Sequence, residues 1–204
     1  MNQYSELPQV IPNKNIALPH FPTRLHAAVF RLWETVSAEQ IAKGLDIPLA
    51  RIQEVANDLG LPEQKHIDIW KNRGYITTIR NAWHILPYDQ LLGVLGWDEK
   101  RLALCLKEDD FLFIKLGNFK PDCPPVRDEI LSDEQKLQCQ KIKKSITSIF
   151  SGLFEGVAPF SYFDNKKELP NQQMPCFDGL RMVYSFCGLY ANVLDEDIEN
   201  SYPE

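Results

Sequence analysis

One helical pattern occurs twice in this chain, fifty residues apart, and that repetition restricts the fold more than any other feature. The first copy opens at Thr23, suited to an N-cap because its hydroxyl can accept from a free backbone amide. Leu25, Ala28, Val29, Leu32 and Trp33 follow at i, i+3, i+4, i+7 and i+8, the spacing of one buried helical stripe. Ser37-Ala-Glu-Gln40 reads as a capping box opening a second helix, with Ile41, Ala42 and Leu45 inward. Asp46-Ile47-Pro48 ends that helix, since proline tolerates only a first helical turn and disfavours a helical residue before it. A third helix turns Ile52, Val55, Ala56 and Leu59 inward and stops at Gly60, which can take a left-handed cap. Two short helices joined by so tight a turn form a helix-turn-helix unit.

In the second copy Trp33 falls on Trp83, Gln40 on Gln90, Ile41 on Leu91 and Leu45 on Leu95. Ile47 falls on Trp97, Ile52 on Leu102, Val55 on Cys105, Ala56 on Leu106 and Leu61 on Phe111. Gly96 occupies the turn position held by Asp46 in the first copy. Both tolerate left-handed backbone, glycine freely and aspartate moderately. The apolar register is kept while surface positions differ. Two copies make a tandem duplication rather than a solenoid, which needs at least about three.

The duplication divides the chain. Residues 1–22, with Pro8, Pro12, Pro19 and Pro22 and no helical period, form an extended arm, loose or draped over the body. Residues 23–72 are the first unit and 73–117 the second, bridged from Gln64 to Asn72 by a short helix with Ile67 and Trp70 inward, stopped by Gly74. Phe111–Leu116 is a short apolar run bounded by Gly117, the pattern of a strand. Residues 118–204 read as a loop-rich α/β segment. Ser132-Asp-Glu-Gln135 caps a helix running to about Phe150, with Leu137, Ile142, Ile146 and Ile149 among its apolar positions. A strand is expected at Pro159–Phe163. Another at Leu180–Cys187 is apolar on both faces, as in a buried parallel sheet. Such a strand needs partners that the acidic residues after it barely supply, so the expectation is the truncated start of a following domain.

Charge sorts the function classes. The 204 residues carry a formal net charge of −6, whereas a phosphate-neutralising protein usually shows a basic surplus. In the first unit the DNA-reading helix would offer Arg51, Gln53 and Asn57 as base or backbone contacts, beside Glu54 and Asp58. In the second, Lys100, Arg101 and Lys107 face Asp98, Glu99, Glu108, Asp109 and Asp110. Nucleic acid is therefore disfavoured by charge, and the same helical unit serves equally as a packing element. Its Trp33, Trp83 and Trp97 are the expected packing residues between the two units, because large aromatics dominate such burial.

Chemistry-bearing patterns are sparse. His20, His26, His66 and His84 are scattered and read as surface or partly buried side chains. The five cysteines are odd in number and contain no C-x-x-C, so neither a metal site nor a disulfide framework is expected. Asp195-Glu-Asp197 hints at a calcium loop, but Asn200 stands where that loop needs glycine. Adjacent carboxylates at Asp109-Asp110 point in different directions on a regular element, and no phosphate loop or nucleophile elbow occurs. Tyr184, Ser185 and Cys187 would face a catalytic mouth if their strand opened a barrel. No catalytic residue, metal or cofactor is assigned. The start lacks a basic and apolar leader, and no apolar run reaches the roughly 20 residues of a bilayer span, so a cytoplasmic chain without membrane contact is expected.

Trp83-His-Ile-Leu-Pro-Tyr-Asp-Gln-Leu-Leu92, Asp109-Asp-Phe-Leu-Phe-Ile-Lys-Leu-Gly117 and Lys120-Pro-Asp-Cys-Pro-Pro125 carry a resemblance. They resemble the N-terminal region of large uncharacterised bacterial proteins whose later part looks like a glycoside-hydrolase barrel. The resemblance spans roughly residues 20–200. It implies that Leu180–Cys187 is the first barrel strand and 111–163 a small α/β layer before it, and it brings no catalytic residue to this chain. The first copy separately resembles the DNA-contacting helical region of sigma factors, without that region's cations. The expected fold is mainly α: two tandem helix-turn-helix-like units, then a small α/β segment. The expected function is a non-catalytic helical interaction or structural module at the front of a larger, carbohydrate-active protein. Its partner would be another protein or a C-terminal domain of the same one. The alternatives are a DNA-binding regulator and the N-terminal fragment of a glycoside-hydrolase-like enzyme.

Overall fold

Each unit is built from three helices. In the first, α1 runs Arg24–Leu32, α2 Ala38–Leu45 and α3 Leu49–Leu59; in the second, α4 runs Tyr75–Ala82, α5 Tyr88–Leu95 and α6 Glu99–Glu108. The computed structural model describes residues 4–150 other than 13, 66, 71–73 and 110. The sequence-expected strands at 159–163 and 180–187 and the acidic tail lie outside the described residues. Within them the fold is mainly helical, with one two-stranded parallel pair.

The inward stripes are where the periodicity puts them. Leu25, Ala28, Val29 and Leu32 of α1, Ile41, Ala42 and Leu45 of α2, and Ile52, Val55, Ala56 and Leu59 of α3 are buried. Each large aliphatic among them contributes about 2 kcal/mol over exposure to water. The Thr23 hydroxyl caps α1 by accepting from the His26 amide. Asp46, at φ 56°, and Gly96, at φ 65°, both end their helices in left-handed backbone.

The two units meet through like elements. α2 packs on α5, the most extensive contact between helices, and α1 on α4, so the duplication forms a pseudo-symmetric pair inside one chain. The paired glutamines both reach toward this contact but settle on different carbonyls: Gln40 Nε2 donates to Gly93 O at 2.7 Å, while Gln90 Nε2 donates to Val126 O at 2.8 Å and lies 3.5 Å from Leu45 O. Glycines let the backbones touch. A Cβ on Gly44 would fall 2.6 Å from Val94 Cα, and one on Gly93 would fall 2.9 Å from Gly44 Cα. The centre of the seam is therefore two glycines, where indoles would prop the helices apart.

The arm is draped. Its β1 (Val10–Ile11) pairs in parallel with β2 (Lys120–Pro121). Leu7 is buried, and Tyr88 Oη donates to Pro8 O at 3.0 Å. Three local expectations change. Phe111–Leu116 is not a strand: α7 covers Leu112–Lys115, because Leu112 and Leu116, four apart, are the positions that bury while Phe111 faces water in left-handed backbone. Among the described residues of the bridge a 3-10 turn at Ile67–Trp70 replaces the expected helix, and none of its residues is buried. Gln64 does its joining instead, accepting from the Ala38 amide at 2.8 Å and donating to Val36 O at 2.8 Å. The Ser37 box is half formed, since Gln40 turns its amide to the seam. At Ser132 and Gln135 the reciprocal box is complete, at 2.9 and 3.2 Å, and opens α8 (Asp133–Phe150). α8 lies on α3, burying Cys139 and Ile146 while Leu137 and Ile149 stay exposed. No helix among the described residues is long and apolar enough to cross a membrane.

Candidate interaction surfaces

The helices that a helix-turn-helix unit can turn toward DNA, α3 and α6, carry different outer faces in the two units. On α3, Arg51 is half-buried and doubly engaged, with Nη1 2.8 Å from Glu54 and Nε 2.8 Å from Asp128. Gln53 and Asn57 are exposed. Beside them α8 closes on the helix, with Lys143 Nζ donating to Asn57 O at 2.9 Å. A phosphate approaching Arg51 would have to displace two carboxylates already in contact. The charge argument from sequence missed Asp128, which lies far along the chain, and no local pattern signals it.

On α6 the matching positions are Arg101, Ala103 and Lys107, and Leu104 stands where α3 has Glu54. Leu104 is 62% exposed, and on α7 Phe111 is 73% and Ile114 60% exposed. Phe111 adopts φ 52°, a strained conformation for an aromatic residue. Alongside α6 runs an open groove of about 920 Å³, walled by Leu7 and Pro8 of the arm, by Leu104 and Phe113, and by Lys100 and Lys107 on its rim. Glu6 is the carboxylate in that wall.

The three tryptophans occupy separate places. Trp33 is partly buried and donates to Pro62 O at 2.7 Å, fastening the end of the first unit. Trp83 is fully buried and donates to Phe119 O at 2.8 Å. Trp97 is partly buried, packs on Tyr75, and lines a crevice to which both units contribute.

Two buried ionisable groups were not foreseen. Lys120 is fully buried, its Nζ donating to Trp83 O and Leu86 O at 2.8 and 2.7 Å and lying 3.4 Å from Cys123 Sγ. Those carbonyls follow the end of α4, where a cation suits the helix dipole; burial holds the ammonium pKa below its usual value. His26, expected at or near the surface, is wholly buried in α1 with Nδ1 2.8 Å from the Thr23 hydroxyl. Burial, then the nearby Arg51 charge, lowers its pKa to about 4. His84 is partly buried and shifted down, first by burial, then by Lys120; His20 is exposed. Burial pushes the Cys105 thiol up to about 12, with Asp109 adding to the shift, which makes it a poor nucleophile. Among the described residues no group of three or more His, Cys, Asp or Glu side chains could hold a metal ion.

Comparison with family models, with curated proteins and with solved structures returned no match.

Proposed function

We propose that this chain is a non-catalytic interaction module whose two helix-turn-helix units serve as a rigid scaffold for protein docking. One observation carries the reading: α6 exposes Leu104 to an open groove at the register where α3 shows the acid Glu54, ion-paired with Arg51. Large exposed aliphatics beside a concave surface mark partner contacts rather than nucleic-acid faces. The partner class that fits is an apolar helical segment of another protein flanked by carboxylates, because the exposed Lys100 and Lys107, the latter 3.4 Å from Glu108, line the groove beside Leu104. The resemblance to the front of larger barrel-bearing proteins agrees with a recruiting role.

The test pairs two probes on the full chain by fluorescence anisotropy. A leucine-faced amphipathic peptide with glutamate flanks should bind, with Leu104→Glu weakening it at least about tenfold. The same peptide with lysine flanks should not bind. Equal binding of both peptides, or indifference to Leu104→Glu, overturns the groove assignment. Saturable duplex-DNA binding that falls steeply with salt would restore the regulator reading.

A further inference from the structure

The groove along α6 is partly walled by the chain's own arm, and that arm has the chemistry of a ligand. Glu6, Leu7 and Pro8 line it together with Lys100, Leu104 and Lys107. Leu7 is buried in the hydrophobic cluster, whereas its neighbour Glu6 is exposed. A seated leucine next to a carboxylate, in a groove lined by two lysines, is the combination assigned above to the partner segment. The arm therefore brings to the groove, within one chain, the contacts that a partner would bring from another.

How the arm is held shows where it can open. The Tyr4 ring meets the Tyr88 ring edge-on with centroids 5.7 Å apart, and Tyr88 Oη donates to Pro8 O at 3.0 Å. The Glu6 amide donates to the Glu99 carboxylate. Val10 and Ile11 pair with Lys120 and Pro121, and the Asp122 amide donates to Ile11 O at 3.1 Å. A strand pair of two residues gives little cooperative support, so such a segment opens at a small fraction of the free energy that unfolds a core. Behind it Pro12, Lys14 and Asn15 are exposed. The rear of the arm is fastened separately, by Arg24 Nη1 donating to Ile16 O at 3.4 Å. A hinge at residues 12–15 thus lets the front swing away while α1 keeps its place.

We propose that the front of the arm, residues 4–11, is a built-in competitor for the α6 groove, which a partner segment must displace in order to dock. The proposal rests on the docking role of that groove, and it adds regulation: affinity for the partner is reduced by the fraction of chains with the arm closed. The test titrates the labelled glutamate-flanked leucine peptide into the full chain and three single variants. Tyr88→Phe keeps the ring and removes the hydroxyl that holds Pro8, and Tyr88 does not line the groove. It should tighten binding about fivefold, the weight of one hydrogen bond on arm closure. Leu7→Ser empties the arm's own seat and should tighten binding at least about tenfold. Leu104→Glu should weaken it, as before. Amide exchange reports displacement directly, since with saturating peptide the Asp122 amide loses Ile11 O and should exchange faster. Failure of the peptide to bind any of these chains, or indifference to Leu104→Glu, overturns the docking role and the competitor with it. Leu104-dependent binding that neither Tyr88→Phe nor Leu7→Ser tightens, or Asp122 exchange that is unchanged or slower, overturns the competitor alone: the arm is then a fixed wall of a groove that still docks its partner.

Discussion

The two units descend from one pattern, yet they differ most on the helix that such units ordinarily turn toward DNA. In the first, α3 carries α8 along its side and has its arginine held by Glu54 and Asp128. In the second, α6 is open and exposes Leu104 above a groove. Inward positions keep their apolar character: Ile41 and Leu91, Ile52 and Leu102, Ala56 and Leu106 are all buried, though Ala56 and Leu106 differ in size. The contrast separates what duplication preserves from what it frees. A position facing the shared core is held to apolar side chains by burial, and its size is set by what packs on it in each copy. A position facing outward can be covered, charged or made apolar with little effect on the scaffold.

The seam offers the hardest test of that division. In the fifty-residue register Gly93 corresponds to Lys43 of the first copy, whereas in the seam it lies against Gly44, so equivalent positions meet unequal surroundings. Gly44→Val would drive a branched side chain into the Val94 backbone and should lower unfolding free energy by about 3 kcal/mol or more. Gly93→Ala should lose about 2 kcal/mol, since the three nearest atoms to its added methyl are all backbone atoms of Gly44. Lys43→Ala, on an exposed side chain, should change stability by under about 0.5 kcal/mol. Urea midpoints followed by tryptophan fluorescence would rank the three. Similar losses for Lys43→Ala and Gly93→Ala would show that the seam is not where the units are locked.

A second test exploits a buried group with no counterpart, because Ile76 stands at the position of His26 in the second copy. The His26 pKa is lowered to about 4 in the folded state, mainly by burial. The unfolded chain, with a pKa near 6.5, takes up its proton first as pH falls. Stability from neutral His26 is therefore complete above about pH 6.5 and is lost on acidification toward pH 4. The loss amounts to about 3 kcal/mol over that window. Urea unfolding between pH 4 and 7 should show the slope, and His26→Gln should flatten it. An unchanged slope in the variant would place the acid sensitivity elsewhere.

The sequence made the scaffold legible for a physical reason. Helical periodicity and caps are local, so Leu25 to Trp33, the stop at Asp46 and the box at Ser132 could all be read within a few residues. The seam was less legible. Gly44 and Gly93 gain meaning only when two helices are laid across each other, and the tryptophans drew attention because size alone is visible in a sequence. Phe111–Leu116 misled because five large apolar residues in a short run fit either a strand or one helical turn, and only the neighbouring α6 decides which faces bury. The candidate surfaces were the least legible of all. Arg51 was readable as a contact until Asp128 came beside it, and the open groove draws residues from three separate stretches of chain.

The turn residues give the finest test, since Asp46 and Gly96 do one job in two chemistries. Both cap their helices at nearly the same left-handed angles, φ 56° and 65°. Glycine reaches that region without strain, whereas aspartate carries a Cβ that crowds the following carbonyl. At Gly96 an added Cβ would meet only Gln40 Nε2, at 3.5 Å, an ordinary contact. Any cost of Gly96→Asp is therefore backbone strain, and a loss of about 1 kcal/mol is expected. Asp46→Gly should move the other way by a few tenths of a kcal/mol, because relief of strain is partly offset by the greater freedom of unfolded glycine. Paired thermal melts of the two single variants and the swap would resolve them. If the swap differs from the sum of its parts, the turns are coupled through the seam; if it matches, each unit sets its own turn and the duplication is independent at this level.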